Sequence, residues 1–331
     1  MMARIGMNPA RGKRTSYRPA RVTVGLITYI PHLDGYFQER LDILRLTLAS
    51  VLANTSLPFD LMICDNGSCK EVVEYLEEMQ DSGKIDYLLL SKRNIGKIGA
   101  LNILLRAAPG EIVAYSDDDI FFYPGWLEAH IEIIEIYPLV GMVSGVPVRD
   151  ASHRSRDSLL LWIKDREPGM SIDLEYRIPD MWEVDWAESV GRDPEIHMQN
   201  IQDQKDLVIS YNDVGAFGSA SHFQFVTPKD VIVKALPSNW EGKLMGEMME
   251  LDQAIDELGY LRLSTIDRYT QHIGNSLNPN LLNEANELGL NIERKTQIRR
   301  KRKHWLLSVP GSRRVLRRIY DSIFYILHNI D

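Results

Sequence analysis

Between residues 22 and 116 the chain alternates short apolar runs with longer segments of helical period, and this alternation restricts the fold more than any other feature. VTVGLITYI (22–30) is a β-branched apolar run typical of a buried strand. FDLMICDNGS (59–68) is a second such strand and ends in a turn rich in Asp, Asn and Gly. KIDYLLLS (84–91) and EIVAYS (111–116) are the third and fourth. The segments between them read as helices. LDILRLTLASVLANT (41–55) sets Leu41, Leu44, Leu48, Val51 and Leu52 at helical spacing. EVVEYLEEMQDSG (71–83) is amphipathic and stops at Gly83, and IGALNILLRAAPG (98–110) is the third helix. Buried strands alternating with helices predict an α/β fold built on a doubly wound, mostly parallel sheet flanked by helices.

In such sheets ligands bind beyond the carboxyl ends of the strands. AYSDDDIFFYPGW (114–126) places Asp117, Asp118 and Asp119 at one strand end, and Asp65 lies at another. Carboxylates this close repel and raise one another's pKa unless a cation compensates them. Mg²⁺ and Mn²⁺ take oxygen ligands and share them with substrate phosphates. The plainer alternative is a solvated turn whose Asp caps the next helix. The position after a buried strand, in one cleft with Asp65, favours the cation.

Further on, WLEAHIEIIEIYP (126–138) reads as a helix, LVGMVSG (139–145) as a strand, SHFQFVT (221–227) as a strand and EMMELDQAIDELG (247–259) as a helix. Residues 150–212 are polar, carry Trp162, Trp182 and Trp186, and show weak periodicity; they read as an irregular insertion serving as a lid or substrate loop. Residues 1–20, basic and rich in Gly, Pro and Ser, read as a disordered arm.

The 331 residues suit one large domain with an appendage, or two modest ones. A net charge of −8 argues against nucleic acid as the main partner. Basic residues collect at the ends, with Arg294, Lys295, Arg299–Lys303, Arg313, Arg314, Arg317 and Arg318 at the C-terminus. The two cysteines, Cys64 and Cys69, lack the second pair of a zinc pattern, and such low usage fits a reducing cytoplasm. No apolar core of a secretory signal and no apolar run of about 18 residues is present, so neither export nor a membrane span is expected.

Taken together, ITY (27–29), CDNGS (64–68), NIGKIGALN (94–102), SDDDI (116–120) with PGW (124–126), and GY (259–260) followed by QHIGN (271–275) resemble a family-2 glycosyltransferase with the nucleotide-sugar-binding GT-A fold. The resemblance covers roughly residues 22–275, and Arg40 lies at the distance from Ser50 expected of the Arg that often follows the family's Thr-Tyr. It implies a GT-A domain over 21–275 with 150–212 on the acceptor side, and a basic helical extension over 276–331. It also implies a nucleotide-diphosphate sugar as donor, a saccharide or lipid-linked acceptor, Mn²⁺ or Mg²⁺ as cofactor, and surface polysaccharide or glycolipid as product.

By the same resemblance, Asp65 meets the nucleotide base, Thr28 and Tyr29 line the base pocket, and Arg40 belongs to the donor site. Asn94 and Lys97 face the ribose and phosphates, where glycines allow close approach and a helix N-terminus favours an anion. Asp117 and Asp119 match the outer positions of the family's Asp-X-Asp motif, with Asp118 between them. Asp119 binds the metal, Asp117 holds the ribose or the metal's water shell, and His272 is a further metal or diphosphate ligand. A nitrogen ligand tilts the preference towards Mn²⁺.

Family-2 enzymes invert the anomeric centre and need a base for the acceptor hydroxyl. The family's usual Glu-Asp pair aligns with Glu247-Met248, so the usual Asp is absent. Glu247, Glu250 and Asp252 are within reach; helical geometry groups Glu247 with Glu250 while Asp252 points elsewhere, so Glu247 or Glu250 is favoured and Asp252 is held in reserve. Ser221 and His222 fall where the family often meets a sugar. The basic C-terminus, SRRVLRRIYDSIFYILHNID, reads as an amphipathic helix able to lie on the inner face of the cell membrane. Docking on the enzyme's own acidic body, or on a second subunit of a homo-oligomer, explains it equally well. Two rivals remain. A sugar-1-phosphate nucleotidyltransferase needs a glycine-rich basic loop after the first strand, where this chain has TYIPHLDGYF; a degenerate sugar- or lipid-binding module is suggested by Met248.

Overall fold

The computed structural model describes residues 6–149, 155–165, 168–237 and 248–290. Contacts divide the chain between Glu293 and Arg294, and every described residue lies before that division. The basic C-terminal helix, Glu247 and the membrane or subunit contacts expected of the tail lie outside the described residues.

The first half follows the expected order. Strand β1 (Val22–Thr28) leads through helix α1 (Arg40–Asn54) to β2 (Phe59–Asp65), and α2 (Lys70–Asp81) leads to β3 (Tyr87–Leu90). Helix α3 (Lys97–Ala107) then returns the chain to β4 (Ile112–Asp117). These four strands pair in parallel in the order β3-β2-β1-β4, so β1 is the switch point where the winding reverses. Both faces of β1 are covered. Val22, Val24 and Leu26 pack with Leu44, Leu48 and Val51 of α1, whereas Ile27 packs with Leu101 and Leu104 of α3. Double-sided burial is why β1, β2 and β4 read as continuous apolar runs rather than alternating ones, whereas β3, at the sheet edge, is half-buried.

Next come β5 (Ile120–Phe122), α4 (Trp126–Ile136), β6 (Val140–Ser144), α5 (Asp157–Asp165), β7 (Met170–Glu175), α6 (Asp180–Ser189), α7 (Pro194–Ile201) and β8 (Asp206–Tyr211). They are followed by β9 (Val214–Phe217), β10 (Gln224–Pro228), α8 (Lys229–Ala235), α9 (Met248–Glu257), β11 (Leu261–Thr265), β12 (Thr270–His272) and α10 (Pro279–Glu287). The main sheet has ten strands in the order β3-β2-β1-β4-β10-β6-β11-β9-β8-β7. Beyond β4, β10 runs antiparallel to β4 and β6, β6 and β11 are parallel, and β9, β8 and β7 extend the sheet antiparallel. A small second sheet joins β5 to β12.

The segment expected to be irregular, 150–212, instead contributes helices α5, α6 and α7 and strands β7 and β8 that lengthen the main sheet. Its order rests on short elements and buried ionic links that leave little apolar period. Leu159 and Trp162 pack against Tyr137, Leu207 and Ile209. Arg149 Nε donates to Asp206 Oδ1 at 2.8 Å, and Glu183 links the Arg149 backbone to His197. Residues 6–20 carry neither helix nor strand, but their end is tethered: the Tyr17 hydroxyl and the Ala20 N–H both donate to Asp60 Oδ2, at 2.7 and 3.0 Å.

Candidate active site

Register brings the acidic residues together. On the shared edge of the parallel strands, Thr28 of β1 stands opposite Asp65 of β2, and Ile27 stands opposite Asp117 of β4. Asp65 is buried, and its Oδ2 accepts the N–H groups of Gly67 and Ser68, each at 3.1 Å, which closes the turn after β2. Gly67 has φ 92°, and a Cβ there would strike the backbone of Arg93 and Asn94, so the turn packs on that loop only with glycine. Asn66 fastens the two loops. Its side chain donates to Asn94 Oδ1 at 3.0 Å and accepts from Ile95 N at 2.9 Å. Asn94 Oδ1 also accepts from Gly96 N at 2.8 Å, holding the entry to α3. Tyr29, just beyond β1, is 36% exposed, and its ring meets Phe37 edge-on.

Each carboxylate of the triplet has a different environment. Asp117 Oδ2 pairs with Lys97 Nζ at 2.8 Å, and Oδ1 accepts the buried Tyr115 hydroxyl at 2.5 Å. Lys97 is the first residue of α3, so a side-chain cation and a helix N-terminus converge here. Asp118 is buried; Thr28 Oγ1 donates to its Oδ2 at 2.5 Å and Arg40 Nη2 is hydrogen-bonded to its Oδ1. Burial lifts the Asp118 carboxyl above its ordinary value despite Arg40, and the charges of Asp119 and Asp117 add to the rise. Asp119 goes the other way. Burial also penalises its charge, but His272, Arg40 and Lys97 outweigh that and hold it below the usual carboxylate value.

Strand β12 delivers His272. It pairs with Ile120 of β5, the residue directly after the triplet, so its ring reaches Asp119. Ser189, at the end of α6, donates its hydroxyl to Trp186 O at 2.7 Å and lies 2.8 Å from His272 Nδ1. With its own proton committed, Ser189 accepts from Nδ1–H, which turns Nε2 towards Asp119 Oδ2, 3.5 Å away. Asp119 Oδ1 is buried and has no hydrogen-bond partner. A neutral ring would set two acceptors face to face beside an unpaired carboxylate oxygen, an arrangement that needs a cation between them. The donor set therefore fits a divalent ion, with an oxygen from Asp119 and a nitrogen from His272 as protein ligands and phosphate oxygens to complete it. Among the described residues no cluster of three or more His, Cys, Asp or Glu side chains forms a metal-binding set unaided. Gly274 secures this corner: at φ 78°, a Cβ there would collide with the Ser189 carbonyl.

The acceptor-side candidates separate. Helix α9 buries Met248, Leu251, Asp252 and Ile255, while Glu250 is exposed on its outer side. Asp252 thus lies one turn after Met248 on the same buried face, and Glu250 does not. Asp252 Oδ2 is 2.9 Å from His222 Nδ1, and Oδ1 is 2.9 Å from Arg262 Nη2. These groups line a cavity of about 270 Å³ together with Trp186, Arg192 and Met249. Phe223 joins this cavity to the acidic edge. Its ring lies 5.0 Å from both His222 and His272, and its carbonyl accepts the Asp117 N–H at 2.9 Å.

Arg262, Tyr115 and Ser189 were not expected from sequence. Arg262 left a signal, a cation inside the apolar strand LRLST, where a buried charge requires a partner. Tyr115 and Ser189 left none, because their roles come from tertiary proximity.

Comparison with known proteins follows the same outline. Residues 36–183 match the family model described as Glycosyl transferase family 2. An uncharacterized glycosyltransferase of Nostoc sp. is 28% identical over 108 residues, which is 33% of this chain and 34% of that protein. One from Haemophilus influenzae is 24% identical over 136 residues, 41% of this chain and 38% of that protein. The chain spans between 13% and 38% of the length of the curated relatives it matches. Among solved structures, a mannosyltransferase from Pyrobaculum calidifontis in complex with GDP-Man and Mn²⁺ is similar over 76% of this chain and 56% of its own, at TM-score 0.43 and 16% identity. Residues 36–183, a little under half of the chain, are thus the stretch that is similar to the glycosyl transferase family 2 model.

Proposed function

We propose that the protein is a metal-dependent, inverting glycosyltransferase that moves a sugar from a nucleoside-diphosphate donor, first of all a UDP-sugar, to a saccharide or lipid-linked acceptor in surface polysaccharide or glycolipid synthesis. One observation carries the reading: the partnerless, buried Asp119 Oδ1, with His272 Nε2 3.5 Å from the other oxygen of the same carboxylate, at the edge where β1, β2 and β4 end. Asp65 and Tyr29 flank the end of β1, where a base would sit, and Lys97 with the N-terminus of α3 offers positive charge to a diphosphate. Asp119 and His272 would hold Mn²⁺ or Mg²⁺, with Asp117 on the outer side. When bound, the ion supplies Lewis-acid neutralisation of the departing diphosphate. Arg40 keeps Asp118 and Asp119 ionised and in place. The cavity between Trp186 and Asp252 receives the acceptor, so the 150–212 segment supplies part of its wall.

No helix among the described residues is long and apolar enough to cross a membrane. Access to a lipid-linked acceptor in this proposal runs through the basic segment after residue 290, working from the cytoplasmic face. The test is a thermal-shift screen against UDP-, GDP- and dTDP-sugars with and without Mn²⁺. The expected result is a stabilisation that requires the metal and disappears in Asp119→Ala. Equal stabilisation of the two proteins overturns the metal role, and no stabilisation by any donor overturns the transferase reading.

A further inference from the structure

The cavity beside Phe223 contains a side-chain arrangement that goes beyond donor binding. We infer that His222, oriented by Asp252, is the base that removes the acceptor's hydroxyl proton, an inference that rests on the transferase reading above. Three observations carry it.

First, Met248 stands where the resemblance expects a basic carboxylate, and no oxygen there can take a proton. Second, both oxygens of Asp252 are turned to other side chains, Oδ2 in a hydrogen bond and Oδ1 in an ion pair. One oxygen faces His222 Nδ1 and the other Arg262 Nη2, each at 2.9 Å. Arg262 is buried at 5% exposure and anchored by donating to the Ala220 and Ser155 carbonyls at 2.8 and 3.1 Å. With one oxygen facing a buried guanidinium and the other an imidazole, the carboxylate presents neither oxygen to an incoming hydroxyl. Third, that carboxylate fixes the tautomer of the imidazole. An ionised carboxylate only accepts, so His222 Nδ1 carries the proton and Nε2 carries the lone pair. His222 lines the cavity with its side chain 23% exposed, and among the described residues no hydrogen bond engages Nε2.

The step balances without any further reagent. The acceptor oxygen bonds to the anomeric carbon as its proton passes to His222 Nε2. The bond from that carbon to the diphosphate oxygen breaks, and its electron pair leaves with the nucleoside diphosphate. The imidazolium formed stays hydrogen-bonded through Nδ1–H to Asp252, whose negative charge stabilises it. His222 touches the reacting hydroxyl and is catalytic; Asp252 acts through it and is a positioning residue. Placement suits the roles, since Phe223 alone separates the His222 ring from the His272 ring at the acidic edge.

The test uses the full chain and whichever UDP-, GDP- or dTDP-hexose the wild type hydrolyses with Mn²⁺, water serving as acceptor. His222→Ala is expected to lower turnover by about 10²–10⁴-fold, the usual contribution of a positioned base. Donor binding should be unchanged, and added imidazole should restore part of the rate. Asp252→Asn should also slow turnover but gain nothing from imidazole. In parallel, ¹⁵N spectra of histidine-labelled wild type should report His222 with Nδ1 protonated, a readout that does not depend on any variant folding. His222→Ala at wild-type turnover, a loss that imidazole does not relieve while the donor still binds, or an Nε2–H tautomer overturns the inference. If the wild type binds and hydrolyses no donor, the transferase reading falls instead, which separates the two failures.

Discussion

Arg40 and Asp119 form a buried ion pair with Nη1 2.6 Å from Oδ2, while the other arm of the same guanidinium is hydrogen-bonded to Asp118. One planar cation from the first turn of α1 thus spans two adjacent carboxylates beyond β4. It also donates to Gly274 O at 3.2 Å, tying the triplet to the turn after β12. The fork geometry of arginine makes this double contact possible, and a lysine ammonium cannot reproduce it.

Removing Arg40 takes from two buried carboxylates the guanidinium that spans both. Arg40→Ala is expected to cost about 3–5 kcal/mol of stability, the range for breaking a buried pair from one side. Arg40→Lys should recover only part of it. Because the defect is uncompensated negative charge, Mn²⁺ should raise the urea midpoint of Arg40→Ala more than that of the wild type. A variant as stable as the wild type without metal would mean that Asp118 and Asp119 shed their charge by taking up protons.

Lys97 carries a separate prediction. It pairs with Asp117 at 2.8 Å in a partly covered site at the start of α3. If it turns to the diphosphate when a donor binds, Lys97→Met should weaken nucleotide affinity by about tenfold, or about 1.4 kcal/mol, an ordinary value for a charge-assisted hydrogen bond. Affinity should lose part of its salt dependence at the same time. Titration calorimetry with UDP and Mn²⁺ at two ionic strengths measures both. Unchanged affinity would restrict Lys97 to neutralising Asp117.

The first half of the fold was legible because β1, β2 and β4 are buried on both faces and the segments between the strands keep a helical period. Val22 to Thr28 is apolar almost throughout, and the acidic triplet follows the fourth strand just where a strand must end. The site residues were legible for the same reason: Asp65, Asp117 and Thr28 occupy strand ends, and parallel register brings strand ends together. The second half was not. Strand β7 lies at the sheet edge and is largely exposed, and the segment around it is held by Arg149, Asp206, Glu183 and His197 rather than by an apolar period. The acceptor side failed on a finer point. Helical spacing set Glu250 apart from Asp252, but it could not say which face turned inward; α9 buries Asp252 and exposes Glu250.

That buried ionic segment is itself testable. Asp206 accepts from Arg149 Nε at 2.8 Å and from the Arg177 and Ile178 N–H groups at 2.7 Å each. Asp206→Ala strands a buried guanidinium and two backbone donors, so a loss of about 3–5 kcal/mol is expected. Since this ion pair fixes the strands and helices beside the acceptor cavity rather than the donor edge, the variant should keep metal-dependent nucleotide binding when assayed well below its unfolding temperature. Loss of nucleotide binding in a folded Asp206→Ala protein would show that the two regions are coupled.

His130 gives the clearest pH dependence. It is buried beneath α4, with Nδ1 2.5 Å from Trp126 O and Nε2 3.3 Å from the Gln224 amide. The Trp126 carbonyl only accepts, so Nδ1 carries the proton and Nε2 accepts from Gln224. Burial pushes the imidazole from 6.5 down to about 4, with the Trp126 and Gln224 contacts opposing the fall. In the unfolded chain His130 takes up a proton near 6.5, whereas in the folded protein it does so only near 4. Stability from this group is therefore complete above 6.5 and is lost as the pH falls towards 4, where the unfolded state binds more protons. A shift of this size corresponds to roughly 3 kcal/mol at 1.36 kcal/mol per pH unit. His130→Gln should be less stable than the wild type at pH 8, because it loses packing against Trp126, yet its urea stability should fall less steeply between pH 6.5 and 4. Parallel stability curves for the two proteins across that window would show that His130 exchanges its proton as readily folded as unfolded, and that another group drives the acid transition.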